Sequence, residues 1–167
     1  PGAVRLDQLE AMAPLMEELG WAILIHLTDI EEIIELAPRI RKLSANILFD
    51  HLARVRSHNT LDSPGFRTLL SLLQDTDHCW AKICSWYRLS ESGAPYDDMT
   101  PYARALIETR PDRLVWGTNW PHPNSYVAIP NDGDLLDQFM NWADDNETRQ
   151  QILVDNPARL FGFDTQP

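Results

Sequence analysis

The sequence predicts an α/β fold in which about four parallel strands are covered by helices. Two observations carry that prediction. Apolar residues switch repeatedly between helical spacing and short continuous runs, as they do where helices alternate with buried parallel strands. Polar residues capable of chemistry collect just after the predicted strands. With 167 residues, 44% of them hydrophobic and 9% aromatic, the chain suits one domain spanning 1–167 with a core of its own.

A helix is expected over 6–19, where Leu6, Leu9, Met12, Met16 and Leu19 recur at helical spacing. Pro14 should kink it and Gly20 should end it. The segment before it, Pro1 to Arg5, carries no initiator Met and no basic-then-apolar signal pattern. The run WAILIHL (21–27) then reads as a buried strand. Asp29 can cap a helix over 30–43, with Ile30, Ile33, Ile34, Ala37 and Ile40 on one face and Arg41 and Lys42 favourable in the last turn. Pro38 should bend or break it near its end.

NILFDHL (46–52) gives a second strand. It is followed by a loop holding Ser57, Asn59, Asp62, Ser63, Pro64 and Gly65 and a helix near 66–75. CWAKICS (79–85) gives a third strand, and a helix near 97–109 opens on Asp97 and Asp98. RLVWGT (113–118) gives a fourth, leading into the loop NWPHPNSYVAIPNDGD. Helices near 134–144 and 147–155 finish the chain before NPARLFGF, where Leu160, Phe161 and Phe163 are expected to dock on the body.

Parallel neighbours need crossover helices, so this order implies a sheet with helices against it. Periodicity alone fits an open doubly wound sheet and a partial (β/α) barrel of TIM type equally. The polar residues favour the barrel. His26 ends the first strand, Asp50 and His51 end the second with Arg54 just beyond, Tyr87 and Arg88 follow the third, and Asn119 to His122 follow the fourth. A (β/α) barrel builds its active site from several strand ends on one rim.

A net charge of −11 and a pI near 4.7 argue against nucleic acid or an anionic membrane surface as partner. No apolar run reaches the roughly 18 residues of a membrane helix. Cys79 and Cys84 lack CxxC spacing and read as reduced thiols of a cytoplasmic protein.

ILFDHLAR, WAKICSWYRLS, RLVWGTNWPHP and NPARLFGF together resemble the amidohydrolase-related family of barrel hydrolases, metal-dependent or metal-independent, that includes 2-pyrone-4,6-dicarboxylate lactonase. The resemblance spans nearly the whole chain. It implies that these four strands are the last four of eight, so that the chain is the C-terminal half of such a barrel and the strand carrying the family's HxH pair is absent; the sequence has no HxH.

The resemblance also implies roles. His26 and His51 fall where the superfamily places histidines on its fifth and sixth strands, as zinc ligands or, the reading favoured without HxH, as groups that bind substrate. Cofactor content is therefore zinc or none. Asn119 stands where the lactonase has the aspartate that activates water, and an amide has no basic site near neutral pH. His51 and Asn119 are the catalytic candidates. Arg54 and Arg88 suit a substrate carboxylate through bidentate contacts, with Tyr87, His26 and His122 as further binding candidates. Lys82 lies inside a strand and would be costly in the interior without a partner. Trp120 and His122 flank Pro121, which could aim both rings over the pocket. His58 and His78 receive no role.

The expected function is hydrolysis of a carboxylated lactone or related cyclic ester, incomplete in this fragment. The alternatives are a noncatalytic half barrel that pairs with another copy or with a separate N-terminal half, and an isomerase or decarboxylase on the same scaffold.

Overall fold

Four short strands, β1 (Ile23–Ile25), β2 (Ile47–Phe49), β3 (Cys79–Ile83) and β4 (Leu114–Trp116), pair in parallel in the order β1-β2-β3-β4. The computed structural model describes residues 6–123 and 128–163; the expectations for 1–5, and for the part of the loop after β4 at 124–127, lie outside them. Each strand is shorter than its apolar run. The flanking residues are buried in turns instead, as Leu27 and Leu52 are.

The alternation of side chains separates the two candidate folds. Ile25, Ile47, Phe49, Cys79, Ala81, Ile83 and Leu114 pack into one core with residues of α2 (Glu32–Ile40), α3 (Pro64–Asp75), α4 (Thr100–Thr109) and α5 (Asp132–Trp142). Leu48, Trp80 and Val115 point to the other face, where they form a small apolar cluster with Leu160, with Ala22 against them. All four helices therefore cover one face. A doubly wound sheet would carry helices on both faces and reverse its strand order. Strands in chain order under a one-sided helix layer are a segment of a (β/α) barrel.

Helix α1 (Leu6–Glu18) runs through Pro14 as one element, and Gly20 ends it at φ +66. Its apolar stripe is only partly used: Ala13 is buried, whereas Met12 is 41% and Leu19 48% exposed. A bidentate pair ties it to α2, with Arg39 donating from Nε and Nη2 to Glu10 at 2.5 and 2.7 Å. Helix α2 continues through Pro38 to Ile40, so Arg41 caps it and Lys42 lies beyond it. Asp29 does act at its start, accepting from the Glu31 N–H at 2.9 Å.

The α2–α3 contact depends on Gly65. Both Glu31 carboxylate oxygens accept from its N–H, at 3.1 and 3.2 Å. A Cβ at position 65 would lie 2.8 Å from the Ile30 carbonyl oxygen, so only glycine lets the helix start come this close.

After α5 come α6 (Asn146–Gln150), a π-helical turn (Gln151–Asp155) and α7 (Asn156–Phe161). Asn156 is buried and donates from Nδ2 to the carbonyls of Pro111 and Leu114, both at 2.7 Å, fixing the chain's end against β4. Leu160 docks as expected. Phe161 and Phe163 instead pack on each other and stay 47% and 64% exposed. On the concave face, the Trp80 ring meets the guanidinium groups of Arg113 and Arg159, at 5.1 and 4.8 Å, a cation–π contact with each.

Candidate active site

The strands deliver their polar residues to one rim, as a barrel's C-terminal face requires. Two connected networks form there.

The first centres on Asp50, which is 6% exposed. Its Oδ1 accepts from the His51 N–H at 3.0 Å and from Lys82 Nζ at 3.0 Å, and lies 3.4 Å from Cys84 Sγ. Its Oδ2 lies 3.3 Å from His51 Nε2 and 3.9 Å from His26 Nδ1. Lys82 thus points to the concave face with a partner, which removes the cost of an interior ammonium. Burial alone would raise the Asp50 carboxyl, but the charges of His51 and Lys82 outweigh it and hold the group below the ordinary carboxylate range.

His51 is also buried, and that burial pushes its pKa down to about 4 against a partial offset from Asp50. It is a neutral imidazole at pH 7. The Cys84 thiol, driven upward by burial, stays protonated and lies 3.0 Å from His51 Nδ1. The Cys84 Sγ contact at Nδ1 and the approach of Nε2 to within 3.3 Å of Asp50 Oδ2 hold the ring in place. His26 meets the His51 ring edge-on at 4.8 Å and is half exposed.

Backbone geometry presents this group. His51, Leu52, Ala53 and Arg54 all have positive φ, between 50 and 64°, forming a short left-handed turn. Non-glycine residues rarely adopt it, at a cost of roughly 1–2 kcal/mol each. Leu52 and Ala53 are fully buried, and that packing holds the turn. His51 and Arg54 stand at its two ends.

Arg54 makes no ion pair among the described residues. Its Nε and Nη1 are buried without a hydrogen-bond partner. Burial pushes its pKa down, and so do the charges of Arg56 and Arg88, with Asp29 offsetting them in part. Arg88 also acts on His51, so it stands within electrostatic reach of both.

The second network joins Asn119, Tyr87 and His122 to Asp132, a residue that no sequence signal singled out. Asn119 Nδ2 donates to Tyr87 Oη at 3.0 Å, Tyr87 Oη lies 2.8 Å from His122 Nδ1, and His122 Nε2 lies 3.1 Å from Asp132 Oδ1. Tyr87 and His122 are buried. Trp120 goes the other way and is 76% exposed, so only one of the two rings flanking Pro121 joins the site. His58 pairs with Glu91 at 2.9 Å and His78 Nε2 donates to the Ile40 carbonyl at 3.1 Å, both structural contacts.

Among the described residues, His26, Asp50 and His51 offer donor atoms within 4.8 Å of one another, close enough for a metal ion. The set fits one poorly. The Lys82 ammonium already sits on Oδ1 of the same carboxylate, so a cation at Oδ2 would meet a second positive charge beside it. A groove of about 470 Å³ bordered by Asp97, Arg104, Asp134 and Trp142 lies in the helix layer, and none of the predicted site residues lines it. No helix among the described residues is long and apolar enough to cross a membrane.

Comparison with known proteins agrees with this geometry. The chain is 40% identical over 147 residues to the 4-sulfomuconolactone hydrolase of Hydrogenophaga intermedia, covering 87% of this chain and 48% of that protein. It is 34% identical over 163 residues to the 2-pyrone-4,6-dicarboxylate hydrolase of Comamonas testosteroni, covering 93% and 53%. The chain therefore spans about half the length of the curated relatives it matches. A crystal structure of an apo protein from Agrobacterium tumefaciens superposes with a TM-score of 0.86 at 31% identity, over 98% of this chain and 58% of that one. The family described as Amidohydrolase matches residues 1–163, and with the partial barrel and its polar rim the chain belongs to the amidohydrolase family.

Proposed function

We propose that this chain is the C-terminal half of a (β/α)-barrel hydrolase that opens a lactone bearing an anionic group. The observation that carries the reading is Arg54. A partly buried guanidinium with two buried, unpartnered nitrogens, in the field of Arg56 and Arg88, is costly unless an anion meets it. A carboxylate or sulfonate on the substrate would do so through bidentate contacts, and the names of the two relatives carry those groups. Arg54 and Arg88 hold the substrate, His26 donates to the reacting oxygen with His51 fixed behind it, and Asn119 orients the attacking water.

Zinc is not needed in this reading, because Lys82 already supplies the positive charge beside Asp50. The location proposed is the cytoplasm, in keeping with two free thiols.

The test is hydrolysis of 2-pyrone-4,6-dicarboxylate and 4-sulfomuconolactone, followed by the loss of the lactone's ultraviolet absorbance. It is run on this chain and on a chain extended upstream by the preceding barrel half, each with and without a chelator. Turnover by the extended chain that survives chelation supports the proposal. Loss of turnover on chelation refutes the metal-free reading, and a product isomeric with the lactone moves the reaction to an isomerase.

A second reading is a noncatalytic half barrel paired with another chain. Leu24, on the concave face, is 52% exposed, and Trp21, just before the same strand, is 61% exposed, apolar surface of the kind that interfaces cover. A dimer mass in solution with no turnover by either chain favours it.

A further inference from the structure

Asn119 cannot take a proton, so its use depends on which end of its amide faces the substrate. An amide presents an acceptor oxygen or a two-donor nitrogen, and the neighbours decide which. Here the decision can be followed from the far end of the second network. Asp132 is a carboxylate and only accepts, so His122 donates to it from Nε2. A neutral imidazole protonated on Nε2 is an acceptor on Nδ1, so Tyr87 donates its hydroxyl hydrogen there. The Tyr87 oxygen can then only accept from Asn119, and the atom facing it must be Nδ2. Every proton runs one way, from Asn119 to Asp132. Asn119 Oδ1 has no partner among the described residues.

We infer that Tyr87, His122 and Asp132 are positioning residues that turn the Asn119 amide so that Oδ1, and not the NH2 group, is offered to the pocket as the acceptor that aims the attacking water. The inference rests on the lactone-opening reading for its chemistry, but not for its geometry. It gives a role to Asp132, ten residues beyond His122, and makes Tyr87 and His122 supports for Asn119 instead of substrate contacts. Reversing any link would offer the amide nitrogen, a donor that repels the water's hydrogens and leaves its lone pair aimed away from the carbonyl carbon.

The experiment is a double-mutant cycle in the extended protein. Tyr87→Phe is expected to lower kcat about 100-fold, the scale on which misplaced reacting groups cost rate, with KM changed by less than about threefold. In an Asn119→Asp background the two side-chain oxygens are equivalent and there is no amide to orient, so the same Tyr87→Phe change is expected to lower kcat by less than about threefold. His122→Asn, which keeps an acceptor near the Nδ1 position, should retain more activity than His122→Leu. Equal losses from Tyr87→Phe in both backgrounds would overturn the inference, since a purely structural tyrosine is needed in both.

If the extended protein opens no lactone, the functional reading fails and the relay is judged by nitrogen NMR of this chain, with the His122 signal assigned from His122→Asn. The Nε2–H tautomer in the wild type, lost in Asp132→Asn, is the expected result. An Nδ1–H tautomer reverses the chain of donors and sinks the inference.

Discussion

Replacing Arg54 by Met distinguishes a substrate-binding arginine from a structural one by the sign of its effect. Met keeps most of the apolar stem and fills the space without the charge. In the free protein the guanidinium leaves two nitrogens buried and unsatisfied, each such group costing about 1–3 kcal/mol. Because Arg54 is only partly buried, the low end applies, and the variant should be more stable by about 1 kcal/mol, or roughly 2–4 °C in Tm for a chain of this size. Ligand reverses the order. At about 100 times its Kd, a bound dicarboxylate adds about 2.7 kcal/mol to the wild type, and the variant should gain little. Thermal unfolding of the extended protein and its variant, each with and without 2-pyrone-4,6-dicarboxylate, therefore gives melting curves that exchange places on adding ligand. A free variant less stable than wild type by 1 kcal/mol or more, or an undiminished ligand shift, would refute the reasoning.

Three further outcomes can be measured on the chain itself. Gly65→Ala should destabilise it by about 1–3 kcal/mol in urea unfolding, because the new Cβ meets the backbone carbonyl of Ile30 and not a movable side chain; an unchanged midpoint would show that the helices can separate there. Lys82→Met should cost about 2 kcal/mol, below the usual figure for breaking a buried pair because Lys82 is partly exposed, and the loss should shrink in acid as Asp50 becomes protonated. His51, held at about 4 in the folded chain against about 6.5 unfolded, makes the unfolded state bind more protons between those values. Its contribution is therefore complete above pH 6.5 and falls by up to about 3 kcal/mol as pH drops to 4; His51→Gln should flatten that slope, and an unaltered slope would place the titration elsewhere.

The elements and their order were legible because each strand is bounded by turn residues and each helix carries a period of its own. Pro14 and Pro38 both lie inside their helices, and α2 ends two residues after Pro38, at Ile40. Which face of β3 held Lys82 could not be read from a run as apolar as CWAKICS; it took Asp50 on the neighbouring strand to settle it. His26, His51, Tyr87, Asn119 and His122 all reached the rim because strand ends lead there by geometry. Asp132 did not show, because it joins His122 across a loop whose length carries no periodic signal. Phe161 and Phe163 mark the opposite error, where hydrophobicity suggested a docking surface that these side chains do not find within the described residues.

The left-handed turn at His51–Arg54 also sets which amino acids this stretch can accept over generations. At φ near 50° a side chain branched at Cβ collides with its own backbone, so valine, isoleucine and threonine are shut out at 52 and 53 even though both positions are fully buried. Volume alone would admit them. A saturation library across 51–54 should consequently recover asparagine and glycine ahead of the aliphatic residues usual in a buried position, the inverse of what is expected at Ile47 and Leu48 in the strand just before.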